Sequence, residues 1–282
     1  DHTQDSYYGK KIYNAGQKSF FANYIYQSIF GNNPGQMYSA GISFTYDKYD
    51  EDFRDQLVVA DGLEGVDATF KREERVPGAF FQYTGEFLDE RFVVMAGLRY
   101  DYHNIFGSIW TPRAHIMYKP DEFTNIKATF GRGLRTANIL AENSYLLASA
   151  ANFYVEGKLL AKNPHLLDEL KMEDSWNFGA NVNRKFTLFG RTLNVNLDYY
   201  HTKFNDQVVV DNETTFDQVN FYNLEGKSYS NCYQAEVKYE LIPRLEATVA
   251  YRYNDVKTTI KGELRRTPFT SRYKGMVNLS YF

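Results

Sequence analysis

The chain has a single cysteine, Cys232, so a disulfide framework within it is impossible. No apolar run approaches the roughly 20 residues that a spanning helix needs, which excludes transmembrane helices. Excess charge of one sign is missing too: the formal net charge is -3 over 282 residues, and nothing in that balance points to nucleic acid. The first residues, Asp1-His2-Thr3-Gln4-Asp5, have neither the basic nor the apolar region of a signal peptide, so an export signal is expected upstream. Neither a G-x-S-x-G nucleophile turn nor an H-E-x-x-H metal motif is present. His103, His115 and His201 fall at or near strand positions and His165 in a long loop, where a hydrogen-bonding role is the simpler reading. Catalytic residues are not assigned, and an enzyme is not expected.

Aromatic residues, by contrast, are plentiful. With 24 Tyr and 22 Phe the chain is 17% aromatic, and such residues favour strands and collect at membrane-water interfaces. The mean hydropathy of -0.52 would suit a soluble protein. A membrane barrel, however, alternates lipid-facing and lumen-facing residues, and averaging over the two cancels the signal. Alternation is therefore the pattern to seek. Phe92, Val94, Ala96, Leu98, Tyr100 and Tyr102 interleave with Gly97, Arg99, Asp101 and His103. Leu193, Val195, Leu197 and Tyr199 interleave with Asn194, Asn196 and Asp198; Leu245, Ala247, Val249, Tyr251 and Tyr253 with Glu246, Thr248, Arg252 and Asn254; and Trp176, Phe178, Ala180 and Val182 with Asn177, Gly179, Asn181 and Asn183. The same rule predicts strands at 17–30, 36–48, 74–87, 91–104, 109–119, 124–134, 173–185, 191–208, 227–240, 244–256 and 270–282. Most reach the ~9–11 residues that cross a bilayer at a tilt.

Tight connections at 31–35, 88–90, 120–122, 188–190 and 241–243 carry Gly, Pro, Asn and Asp, which supply turn geometry. Other stretches, at 49–73, 105–108, 135–172, 209–226 and 257–269, tend to be larger. Short turns opposite long loops are what outer-membrane barrels have. With the long loops at the outer end, Tyr46, Tyr100, Tyr102, Tyr199, Tyr251 and Tyr253 gather there, and Phe87, Tyr118 and Tyr239 lie near the turns, as two interfacial girdles would. A soluble β-sandwich or lipocalin-like barrel alternates as well, but strand length, loop asymmetry and aromatic placement argue against it.

Three segments, in order, resemble the TonB-dependent outer-membrane receptors. Gly97-Leu98-Arg99-Tyr100-Asp101 is similar to the "GLRYD" strand of that family. Gly131-Arg132-Gly133-Leu134-Arg135-Thr136-Ala137-Asn138 through Glu142 and Asn143 resembles its "GRGFRAP...AE" segment. Leu170-Lys171 with Glu173, Ser175, Trp176 and Asn177 resembles its "LKPE..WN" segment. Asn138 and Met172 stand where Pro is usual. The resemblance implies an all-β fold, an antiparallel transmembrane β-barrel segment of about eleven strands from a barrel of about 22. The stretch 1–282 would be one domain, and the plug and TonB box of the family have no counterpart in it. Thr267-Pro268-Phe269 through Tyr273 resembles the opening of an inner strand, so further wall is expected beyond Phe282. The implied function is binding of a scarce nutrient complex, an iron chelate, cobalamin or glycan, at extracellular loops, and its import with TonB energy. The implied location is the Gram-negative cell outer membrane. The implied partners are outer-membrane lipid, the TonB-ExbB-ExbD complex acting through a plug, and a surface lipoprotein where one is paired; no nucleic acid and no cofactor are expected. A passive porin or adhesin barrel, and a soluble carbohydrate-binding β-domain, are the alternatives.

The loop 135–172 is the candidate substrate site. Ile139, Leu140, Leu146, Leu147, Leu159, Leu160, Leu166 and Leu167 suggest short helical turns or inward packing over the mouth. Arg135, Asn138, Glu142, Asn143 and Tyr145 are the expected substrate-contacting residues; a purely structural cap is the competing role. The acidic residues Asp47, Asp50, Glu51, Asp52, Asp55, Asp61, Glu64 and Asp67 are oxygen-rich enough for calcium but match no EF-hand spacing. They read as a solvated acidic loop, and no metal is assigned. Arg99, Asp101, Arg113, Lys127, Arg132, Glu236, Lys238 and Arg252 are expected to face the lumen, because each would cost up to a few kcal/mol at the bilayer midplane.

Overall fold

A computed structural model describes residues 1–60, 63–160 and 164–282. In chain order the elements are β1 (His2–Tyr8), β2 (Lys11–Phe30), β3 (Asn33–Ala60), β4 (Leu63–Phe87), β5 (Phe92–His103), β6 (Gly107–Asp121) and β7 (Thr124–Arg135). A short helix α1 (Ile139–Glu142), a 3-10 turn (Ser144–Ala148), β8 (Asn152–Val155), β9 (Lys158–Leu159) and a further 3-10 turn (Pro164–Glu169) follow among the described residues. Then come β10 (Glu173–Leu188), β11 (Arg191–Asp206), β12 (Val208–Asp211), β13 (Gln218–Asn223), β14 (Ser228–Ile242), β15 (Leu245–Ile260), β16 (Glu263–Arg266) and β17 (Tyr273–Tyr281). Thirteen strands form one sheet in the order β1 to β7, β10, β11, β14, β15, with β16 and β17 both on β15. Each neighbouring pair is antiparallel, so the wall is an up-and-down meander. Among the described residues no helix is long and apolar enough to cross a membrane.

All eleven expected strands are present, and their faces follow the alternation. Register partners share a face. Thus Leu98, Ala114, Phe130, Phe178, Tyr199, Tyr233, Tyr253 and Tyr273 lie on one side. Arg99, Thr111, Lys127, Asn181, Asp198, Gln234, Arg252 and Lys274 lie on the other. The first face is apolar and exposed, with Phe44 38%, Leu98 47%, Leu197 50% and Val249 49% accessible, as suits hydrocarbon rather than a protein core. Aromatic pairs mark its two margins. Tyr100 and Trp110 (4.6 Å), Tyr199 and Tyr233 (4.9 Å) and Tyr253 and Tyr273 (5.4 Å) form the margin near the loops. Phe30 and Tyr38 (4.8 Å), Phe87 and Phe92 (6.3 Å) and Phe92 and Tyr118 (6.4 Å) form the margin near the turns. The turns are tight: at Phe189–Gly190 both residues have positive φ, 50° and 74°, the signature of a two-residue type I′ hairpin.

Three expectations are corrected. The stretch 49–73 is not a loop, because β3 and β4 continue as a paired hairpin from the membrane belt upward, and β2 starts at Lys11 rather than near Gln17. Above the lipid neither face needs to be apolar, so alternation fades while the backbone ladder continues. The acidic run is accordingly not a solvated loop: Asp47, Asp50, Glu51, Asp52 and Asp55 belong to β3, and Glu51 (8%) and Asp55 (1%) are buried. Asp61 and the side chain of Glu64 lie outside the described residues. Arg132 is also reassigned. It shares the outward face with Phe130 and Trp176, above the belt, where water and headgroups rather than hydrocarbon surround a charge.

Candidate functional site

The long connections 136–172 and 207–227 do not stand free. They join through β8 and β13, which pair in parallel from Gln218 with Asn152 to Phe221 with Val155, inside a four-stranded sheet of order β12-β13-β8-β9. The alternation of this short sheet is apolar on one side: Phe153, Val155, Val208, Val219 and Phe221 are all buried. With Ile139, Leu140, Leu146, Leu147, Leu160 and Leu170 they form one hydrophobic cluster against Tyr13, Phe53, Ala68 and Phe70 on the inner face of β2, β3 and β4. Phe53 meets Phe153 edge-on at 5.7 Å, and Phe153 stacks on Phe221 at 6.1 Å. Burying large side chains on this scale, about 1.5–3 kcal/mol each, is what holds the connections inward over the mouth. The side chain of Leu166 and that of His165 lie outside the described residues.

Polar anchors fix the position. Lys11, fully buried, lies 3.2 Å from Asp55, donates to the Ala151 carbonyl at 2.7 Å and sits 5.1 Å over the Phe153 ring. A charge so deep is stable only with such partners. Arg72 is the second anchor. Its Nε lies 2.7 Å from Glu74, its guanidinium covers the Tyr49 ring at 4.6 Å, and it donates to the Asn138 Oδ1 and the Ala137 carbonyl. His103 approaches the other Glu74 oxygen at 3.4 Å. Tyr13 donates to Glu51. Burial, the largest effect on Glu51, pushes its carboxyl above the ordinary 4.5, against the Tyr13 hydrogen bond and the Arg72 charge. Burial acts in the same direction on Glu74, but there the His103 hydrogen bond and Arg72 outweigh it and hold the group below 4.5.

Of the five residues expected to contact substrate, four are engaged with one another or with the loop. Arg135 pairs with Glu173 at 2.6 Å and with Glu142 at 2.8 Å. Glu142 also accepts from the Asn138 backbone N–H at 3.2 Å, and the Asn143 amide donates to the Ile139 carbonyl at 2.8 Å, closing both ends of α1. Tyr145 is 63% exposed. Beside this group, Glu51, Thr69, Phe70, Lys71, Arg72, Leu167 and Asp168 line a cavity of about 420 Å³ between the tall hairpin and the inserted loop. That volume falls in the ~300–1,000 Å³ range of small-molecule sites. Charged, aromatic and aliphatic walls together suit a ligand with both polar and ring character. Lys11, Tyr13, Glu51, Phe53, Phe70 and Arg72 were not singled out as site residues by the sequence, because their segment carries no amphipathic stripe; the pairing of two distant connections through β8 and β13 left no local signal at all.

The family described as "TonB dependent receptor-like, beta-barrel" matches residues 1–282. A search of curated protein sequences returns no match. Among solved structures, the copper transporter OprC superposes with a TM-score of 0.69 at 12% identity, over 96% of this chain and 42% of that one. A mutant ferric enterobactin receptor, PfeA, from Pseudomonas aeruginosa in complex with enterobactin gives 0.64 at 16% identity, over 96% and 40%. FpvA from P. aeruginosa with a heterologous pyoverdine bound gives 0.61 at 14%, over 96% and 36%. At these identities the likeness establishes the fold, and the chain spans about two fifths of the length of each. By the family match over its whole length, this chain belongs to the TonB-dependent receptor β-barrels.

Proposed function

We propose that this chain forms wall and extracellular vestibule of an outer-membrane receptor that captures a scarce, bulky nutrient complex and imports it with energy from TonB. The observation that carries the reading is the inward-folded loop cluster. The described residues of connections 136–172 and 207–227 share one hydrophobic cluster with the tall hairpin, which supports the reading of a mouth formed before ligand arrives. A preformed site loses less entropy on binding. Tyr145, exposed, supplies a ring for stacking, while Arg135, Asn138, Glu142 and Asn143 hold the segment that presents it and offer charge at its rim. An iron chelate is the favoured cargo, since PfeA is seen with enterobactin and FpvA with a pyoverdine, with cobalamin or a glycan as the other classes. TonB, with ExbB and ExbD, would act through a plug domain. The chain's own contribution is binding and framing, and no catalytic step is assigned to it.

The test is replacement of residues 136–172 by a short turn in the full-length protein. Uptake of ferric chelates should fall to background while the barrel still assembles, shown by its heat-dependent mobility on gels. Undiminished uptake with an assembled barrel would refute the role of the loop.

A further inference from the structure

Cations gather at one level of the outward face. Following the register across β7, β10, β11, β14, β15 and β16, Arg132, Trp176, Lys203, Tyr229, Lys257 and Arg266 are each the cross-strand partner of the next. Arg272, in the connection before β17, sits between this row and the belt: its carbonyl accepts from the Asn254 N–H, and its guanidinium lies 5.3 Å over the Tyr253 ring and 5.5 Å over that of Tyr273. The row sits four residues along β11 above Tyr199, which register joins to Tyr233, Tyr253 and Tyr273 in the aromatic belt. Four residues of strand span about 13 Å, or about 9 Å along the membrane normal at a tilt of about 45°, which puts the backbone of the row at the outer edge of a headgroup layer about 5–7 Å deep, within reach of long Lys and Arg side chains.

Charge along the row and just below it is unbalanced. Asp174 takes Arg132 at 2.8 Å, and Asp255 lies 3.7 Å from Lys257. Arg266 donates to the Thr270 carbonyl and Arg272 to the Tyr253 hydroxyl, which neutralise nothing. Lys203 is exposed and, among the described residues, its side chain has neither a hydrogen bond nor an ion pair. Arg132, Lys203 and Lys257 stand on every second strand, so successive cations are about 10 Å apart. That spacing suits a ligand with more than one phosphate better than a single small anion.

We propose that this row is a docking surface for the phosphate groups of a lipid headgroup in the outer leaflet. The belt below it takes the acyl chains, and Trp176 and Tyr229 fill the spaces between the cations with amphipathic rings of the kind that settle at headgroup level. Basic residues beside a membrane surface attract anionic headgroups. The inference rests on the membrane position given above, yet binding in detergent is measured without any uptake, so the two readings can fail separately.

The experiment uses the full-length protein in detergent, with a lipid carrying two headgroup phosphates as probe and native mass spectrometry as readout. The wild type should retain the phosphorylated lipid, and Lys203→Gln with Lys257→Gln and Arg272→Gln should weaken retention at least about tenfold. Lys203→Arg with Lys257→Arg should restore it, and the same lipid without phosphates should bind both proteins equally weakly. Because the Lys203 side chain makes no hydrogen bond or ion pair among the described residues, Lys203→Gln alone gives a measurable loss even if the triple variant fails to assemble. Equal retention of the phosphorylated lipid by wild type and Lys203→Gln, or retention of the phosphate-free lipid by the wild type as strong as that of the phosphorylated one, overturns the proposal. So does inorganic phosphate binding as tightly as the lipid, which would mark the row as a site for free anions.

Discussion

At the scale of single residues, Arg72 and its two carboxylates control how the loop is held. Arg72 reaches Glu74, Tyr49, Ala137 and Asn138 at once; it stands across from Tyr49, with Glu51 the next residue along on the same face of β3. The two acids respond to pH in opposite senses. Glu51 is raised above 4.5 in the fold, so its contribution to stability is full below that value and is lost as pH rises through the raised one. Glu74 is lowered, so its contribution is present above 4.5 and is lost as pH falls through the depressed value. Glu51→Gln removes the first of these. Protection of residues 136–160 from proteolysis should therefore decline from pH 4.5 towards neutrality in the wild type and stay level in the variant; an unchanged slope would sink this assignment. Neither acid was legible as a buried group. In the sequence Glu51 is one carboxylate in a run of them, and only the pairing of β3 with β2 and β4 places it beneath the inserted loop.

Among the elements, the eleven wall strands and the four-stranded loop sheet have different origins. Wall strands are dictated locally: an apolar residue at every second place, a Gly or Pro turn at one end, and a length set by the bilayer. The loop sheet is a tertiary product. β8 is four residues long and β13 six; each has a short hairpin partner close by, β9 and β12, but the parallel contact that joins the two hairpins links residues more than sixty positions apart. Phe153 is the joint, touching Phe53 of the wall, Phe221 of β13 and the Lys11 side chain. Phe153→Ala should cost about 3 kcal/mol, within the range for large-to-small core changes. Hydrogen exchange at Val155 and Phe221 should then quicken by about a hundredfold or more while exchange in β5 and β6 stays as it was; unchanged protection of β8 would show that Phe153 is not the joint.

For the molecule as a whole, the two faces obey different solvents, and substitution should reveal it. Leu197 faces outward at mid-wall, and its neighbour Asn196 faces inward, hydrogen-bonded to Asn181 and Asp198. Leu197→Arg should destabilise the bilayer-embedded barrel by about 2–4 kcal/mol, the value for a midplane arginine. Asn196→Arg should be tolerated by comparison, because that side chain meets a polar surface; denaturant unfolding in vesicles measures both. Equal penalties would mean that the faces have been assigned the wrong way round. The sequence by itself determined the wall: strand periodicity, turn chemistry and two aromatic margins are local consequences of a sheet with lipid on one side. Tertiary structure alone decided the height of the β2, β3 and β4 strands above that lipid and the inward fold of connections 136–172 and 207–227. There the lipid no longer enforces alternation, and the stabilising contacts join residues too distant in the chain to leave a pattern in it.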